Sequence, residues 1–164
     1  MNAIDYMTRF EEDGLHLFEL LGFDAHSGEL KNTFNLLANS QRQHLGKLLA
    51  IKRDVPPGIG ESALLERTSG LSNGFEMLLT SHDLQHALKN DPDAFWHIVH
   101  AEEEFIKLLE GVAHAEKETA CRQLLDHLIT TEKGHLEHIE NIYEFITTPH
   151  SFLEWGEFSN LQRL

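Results

Sequence analysis

The sequence predicts an all-α protein, a four-helix bundle in which two helical hairpins are joined by one long connection. Apolar residues recur at helical spacing in four segments, which we place at residues 2–21, 29–53, 91–114 and 117–146. The four prolines, at positions 56, 57, 92 and 149, fall near the ends of these segments, and proline is poorly tolerated inside a helix. A polar pattern also occurs twice, 91 residues apart, which indicates that the two hairpins are related halves.

The first hairpin is expected to turn at Gly22 and the residues up to position 28, because glycine commonly ends a helix. Pro56 and Pro57 stop the second helix. Residues 54–90 then form the crossover between the hairpins. Within it we expect short helical pieces at residues 61–67 and 73–89.

The third helix should open with Asp91 as its N-cap and Pro92 at its first helical position. Pro149 marks the end of the fourth helix. The tail at residues 149–164 is irregular but carries Trp155 and two phenylalanines. Exposed aromatic residues are unfavourable in water, so we expect the tail to pack on the bundle or on a second subunit. The whole chain, residues 1–164, is long enough for one domain with a sizeable core.

Composition excludes several classes of function. The net charge is −14, and such a surface repels nucleic acid and anionic membranes. The chain contains neither an apolar run long enough to span a membrane nor a visible secretory signal. Cys121 is the single cysteine, which excludes an internal disulfide and a four-cysteine metal site within these residues. We therefore expect a reducing, cytoplasmic location.

The repeated polar pattern is a glutamate, then thirty residues later a glutamate or glutamine, and three residues after that a histidine. Its members are Glu11, Gln41 and His44 in the first half and Glu102, Glu132 and His135 in the second. Residues at i and i+3 share one helical face, so all six should meet at a similar depth. Buried carboxylates without partners are costly, which favours a bound cation. Iron or manganese suits mixed carboxylate and imidazole ligands, and zinc is also compatible.

These residues resemble those of the ferritin-like di-iron carboxylate superfamily, nearest its rubrerythrin-like branch. The resemblance rests on residues 11–18 and 101–109, on the two histidines, and on Glu132 as the bridging carboxylate. Residues 141–161 are also similar to the ends of rubrerythrin-like proteins that lack a rubredoxin domain. The resemblance implies a ferritin-like bundle that binds two iron ions through the following residues: Glu11, His44, Glu102, Glu132 and His135. It also implies reduction of oxygen or peroxide, or oxidation of ferrous iron, with electrons from a separate donor.

The sequence departs from the family pattern at three positions. Gln41 places a neutral amide where the second bridging carboxylate is expected, so we expect one metal position to be weakened or lost. Phe18 and Leu109 stand where the family often has tyrosine. His138, one turn beyond His135, could contact a displaced ion, although an exposed helical histidine is the simpler interpretation. Gln41 and His138 are therefore only weak or indirect candidates for metal contact.

Three interpretations follow from the residues. In the first, the protein is a di-iron oxidoreductase of peroxidase or ferroxidase type, with no catalytic side chain besides the metal ligands. In the second, it is a degenerate bundle that keeps one structural zinc or iron ion and acts as an interaction or assembly module. In the third, the carboxylates lie on hydrated faces and bind no metal, which requires that the six positions do not converge. The hairpin arrangement and the apolar tail also favour a homodimer.

Overall fold

The structure is a computed structural model that describes residues 3–56 and 73–147. The described residues form six α-helices and no strand: α1 Ala3–Asp24, α2 Gly28–Asp54, α3 Gly74–Thr80, α4 His82–Asn90, α5 Trp96–Ala115 and α6 Thr119–Thr147. The predicted all-α bundle is thus confirmed. The helix expected at residues 61–67 and the apolar tail at 149–164 lie outside the described residues.

The four long helices form two antiparallel hairpins. In the first, Asp5 near the start of α1 pairs with Lys52 near the end of α2 (Oδ1–Nζ 2.8 Å). In the second, Glu110 near the end of α5 pairs with Lys133 in the first half of α6 (Oε1–Nζ 2.6 Å). Helix α2 packs against α6, which joins the hairpins into one bundle.

The core lies between the long helices and is built from side chains that are almost completely buried. Its members include Met7, Leu17, Phe18, Leu21, Leu37, Leu48, Ile98, Leu125, Leu128 and Ile139. Each side chain of this size contributes roughly 1.5–3 kcal/mol through burial. This apolar packing stabilises the bundle and holds the polar positions between its helices.

Gly22 does not form the turn of the first hairpin, so that expectation was wrong. Helix α1 continues through this residue, which is buried. A Cβ at Gly22 would lie 3.1 Å from Asn35 Oδ1, so glycine here permits close packing of α1 on α2. The actual turn is shorter and ends at Ser27, whose Oγ accepts a hydrogen bond from the Leu30 N–H at 3.0 Å.

The expected helical piece at residues 73–89 is present as two helices that meet at Ser81. The Ser81 hydroxyl caps α4 by accepting from the Leu84 N–H at 3.3 Å. Asn73 caps α3, since its Oδ1 accepts from the Phe75 N–H at 3.0 Å. Its Nδ2 also donates to Asp13 Oδ2 on α1 at 2.6 Å. Helix α3 is thereby fixed against α1, and it also packs on α5.

The third and fourth long helices begin near their expected positions. Asp91 is the predicted cap, because its Oδ1 accepts from the Asp93 N–H at 2.9 Å. The first turn, Pro92–Phe95, is a 3-10 helix, and the α-helix proper begins at Trp96.

Helix α6 begins two residues later than expected because the Glu116 carboxylate accepts the next two backbone N–H groups, at 2.8 and 2.9 Å.

Candidate metal centre

The six repeated polar positions converge inside the bundle. All of them are buried, and the largest exposed fraction is 6 %, for His135. Their potential ligand atoms form two groups, each within 4.8 Å: Glu11, His44 and His135 in one, and Glu11, Glu102 and Glu132 in the other. Glu11 belongs to both groups. None of these carboxylates lies on a hydrated face, so the interpretation that depended on such faces was wrong.

The two histidines present stacked, parallel rings, with centroids 4.1 Å apart and planes 3° apart. His44 Nε2 lies 3.0 Å from Glu132 Oε1 and 3.6 Å from Glu11 Oε1. Burial, and after it the neighbouring His44, lowers the pKa of His135 to about 3. His135 is therefore neutral near neutral pH, and neutral imidazole is the form that binds metals.

The carboxylates lack the partners that buried charges require. No hydrogen bond is made to Glu11 Oε1, Glu132 Oε2 or either oxygen of Glu102. Burial raises the pKa of Glu11 well above its usual range, and the adjacent Glu132 raises it further through its charge and a hydrogen bond. The pKa of Glu102 is also raised well above its usual range by burial and by the charges of both other carboxylates.

Such unpaired oxygens are rare in native proteins, and each unsatisfied buried group costs about 1–3 kcal/mol. A cation between the helices would satisfy all four oxygens at once. The donor set of carboxylate oxygens and imidazole nitrogens is also one that iron, manganese and zinc accept. The residues of this cluster therefore fit a metal centre.

Gln41 makes hydrogen bonds where the repeat would place a carboxylate. Its Nε2 donates to Glu11 Oε2 and, at 3.3 Å, to the backbone oxygen of Glu11. Its Oε1 lies 2.8 Å from His135 Nε2. The amide nitrogen cannot bind a metal ion, and the neutral amide oxygen is a weaker ligand than a carboxylate. One side of the cluster is thus held by hydrogen bonds among its own side chains.

An aromatic layer closes the cluster on the side of α1 and α5. Phe10 of α1 stacks on Phe105 of α5, with centroids 3.9 Å apart, and contacts Phe75 of α3 at 4.7 Å. A Cβ at Gly14 would lie 2.8 Å from Gln41 Nε2 and 2.9 Å from Phe75 Cε2. Gly14 and Phe75 were missed by sequence reasoning. The repeat gives one indication of the close contact at Gly14, because position 14 is glycine whereas the equivalent position 105 is phenylalanine.

A groove of about 520 Å³ lies between α2 and α6 on another side of the cluster. It is lined by Ser40, Gln43, His44, Lys47, Thr130, Thr131, Gly134, His135 and His138. Both stacked histidines form part of its wall. His138 is exposed and belongs to neither group of converging ligand atoms, so among the described residues it contributes to the groove and not to the cluster.

A helical bundle that encloses carboxylates and imidazoles defines a class of metal-binding proteins. The family model described as Rubrerythrin matches residues 3–143. The chain belongs to the rubrerythrin family, a ferritin-like di-iron carboxylate family, which confirms the resemblance noted in the sequence. No curated protein and no solved structure matches the chain significantly. Together, the family and the buried cluster indicate metal binding.

Among the described residues, no helix combines the length and the apolar character that crossing a bilayer requires.

Proposed function

We propose that this protein binds two iron ions in the buried cluster and uses them for redox chemistry on a small oxidant. The observation that carries the proposal is the set of four buried carboxylate oxygens that accept no hydrogen bond. Glu11, Glu102 and Glu132, with His44 and His135, are the proposed ligands. Manganese and zinc are the alternatives that the same donor set accepts.

A pair of ferrous ions supplies two electrons, which is the number consumed when one peroxide molecule takes up two protons and forms two water molecules. The protein's residues offset charge and exclude water. Three carboxylates balance most of the charge of two divalent ions, and the layer of Phe10, Phe75 and Phe105 keeps solvent away from one side. Metal binding displaces protons from Glu11 and Glu102, whose pKa values are raised in the metal-free protein.

Other parts of the proposal concern partners. Oxygen and peroxide are the candidate oxidants, and oxidation of ferrous iron itself is the alternative reaction. The single cysteine, Cys121, cannot form a four-cysteine electron-transfer site, so we propose that a separate donor returns the electrons. A homodimer in the cytoplasm completes the proposal.

A second candidate function is favoured by Gln41. Because its amide already bonds to Glu11 and lies within hydrogen-bond distance of His135, three of the six positions, Gln41 included, are held without an ion. A single structural zinc or iron ion bound by the remaining carboxylates would then suffice. In that case the bundle would serve as an interaction or assembly module, without redox activity.

Metal analysis of protein purified without chelators, followed by anaerobic loading with ferrous iron, distinguishes these functions. Two bound ions and a rapid absorbance change on mixing with peroxide or oxygen support the first. One ion and no absorbance change support the second. Absence of bound metal, with a Glu132→Ala variant as thermally stable as wild type, contradicts both. Glu137→Ala, at an exposed position of the same helix, is the matched control.

A further inference from the structure

The cluster is enclosed differently on its two sides. On the side of α1 and α5, Phe10, Phe75 and Phe105 pack against one another. On the side of α2 and α6, the groove brings solvent to the rings of His44 and His135. In the described part of the chain, this groove is therefore an opening through which a small molecule can reach both histidines.

The groove also differs in charge from the rest of the molecule. The sequence has 27 acidic and 13 basic residues, yet none of the described residues that line the groove is acidic. Lys47 lies in its wall, is exposed and forms no ion pair with a described residue. The positive charge of Lys47 thus favours an anion at this wall.

The remaining lining is polar and uncharged. The hydroxyls of Thr130 and Thr131 donate to backbone oxygens one turn earlier, at 2.8 and 3.0 Å, so towards a ligand these hydroxyls can only accept. Ser40 and Gln43 add further polar atoms. A lining of this kind suits a small polar molecule better than an apolar gas.

We propose that the groove between α2 and α6 is the access route of a small neutral or anionic oxidant of the peroxide class, and that Lys47 is its specificity-determining residue. This inference rests on the proposed function. Gly134 is a lining position at which a side chain can be added, since a Cβ there would enter open space.

Two glycines allow a matched test of the route. A Cβ at Gly134 or at Gly46 meets nothing within 4 Å, so leucine is tolerated at both, but only Gly134 lines the groove. With iron-loaded protein and azide as the anionic probe, stopped-flow absorbance should show association at least tenfold slower in Gly134→Leu. Gly46→Leu should match wild type, and metal content should be the same in all three. Equal association rates in the two leucine variants would overturn the access route.

Two lysines of α2 allow a matched test of charge. Lys47→Glu and Lys31→Glu change the net charge equally, and Lys31 is exposed outside the groove. We expect Lys47→Glu to weaken azide binding at least threefold, with a smaller effect at high salt, because screening reduces charge interactions. Lys31→Glu should bind azide as wild type does. Equal binding by both variants would remove Lys47 from the proposal.

A metal-free readout separates failure of this inference from failure of the proposed function. Diethyl pyrocarbonate modifies accessible histidines, and peptide mass spectrometry locates the modified residues. In chelator-treated protein, modification of His44 and His135 should be slower in Gly134→Leu than in Gly46→Leu. If the protein binds no iron, the proposed function fails while this experiment still decides the route. Equal modification in both variants would contradict the groove as the opening to the cluster.

Discussion

Replacing Glu102 with leucine should stabilise the metal-free protein, although the residue belongs to the proposed site. Glu102 is completely buried, and neither of its carboxyl oxygens accepts a hydrogen bond. An unsatisfied buried polar group costs about 1–3 kcal/mol. Glu102→Leu removes that cost and adds apolar packing, so the free energy of unfolding should rise by about 1–3 kcal/mol when no metal is present.

The order should reverse when metal is bound. A ligand present at one thousand times its Kd stabilises the folded state by about 4.1 kcal/mol, and Glu102→Leu loses most of this gain because a ligand is missing. Thermal unfolding followed by circular dichroism, with chelator and then with excess Mn²⁺, measures both states. For a chain of this size, each kcal/mol shifts Tm by roughly 2–4 °C.

Glu103→Leu is the matched control for this experiment. The Glu103 side chain is 45 % exposed, so its replacement should change stability by no more than about 0.5 kcal/mol in either state. If the free energy of unfolding of metal-free Glu102→Leu is lower than that of wild type by more than about 1 kcal/mol, the prediction is wrong. Such a loss would mean that the Glu102 carboxyl makes stabilising contacts without a metal.

Three further predictions concern pH, Gln41 and Gly14. The pKa values of Glu11 and Glu102 are raised in the metal-free protein, so both carboxyl groups stabilise the fold at low pH, and this stability is lost as pH rises. The pKa of His135 is lowered from 6.5 to about 3, so this group has the opposite effect on stability, and only below pH 6.5. Urea unfolding with chelator should therefore show stability falling as pH rises above 4.5, because two carboxyl groups outweigh one imidazole, and a flat or rising profile contradicts this. Gln41→Glu should increase the affinity of the weaker metal position at least tenfold, as measured by calorimetric titration with Mn²⁺. The same substitution should lower the Tm of the metal-free protein. Unchanged affinity contradicts the role given to Gln41. Gly14→Ala should cost about 1–3 kcal/mol through overpacking in thermal unfolding, and a gain in stability, as expected at an open helical glycine, contradicts the close contact.

Much of the fold could be predicted because its signals are local. Helical periodicity and the positions of proline locate the four long helices to within a few residues. The repeat adds information beyond a single helix, since equal spacings in two hairpins place equivalent side chains at one depth. The convergence of Glu11, Glu102 and Glu132 with the histidines follows from that geometry.

Other features could not be predicted because they depend on how helices pack. Gly22 has the composition of a turn, but the close approach of α1 and α2 decides its role. Phe75 reaches the cluster only because Asn73 fixes α3 against α1, through a bond between residues sixty positions apart. The sequence shows that Gln41 is not a carboxylate, but its bonds to Glu11 and His135 appear only in three dimensions.

Anomalous diffraction at the iron absorption edge, from crystals of iron-loaded protein, tests the central claim most directly. Iron should lie within bonding distance of Glu11, Glu102 and Glu132, at two positions of unequal occupancy. Iron bound only at exposed histidines such as His82 and His100, with none inside the bundle, would contradict the proposed site.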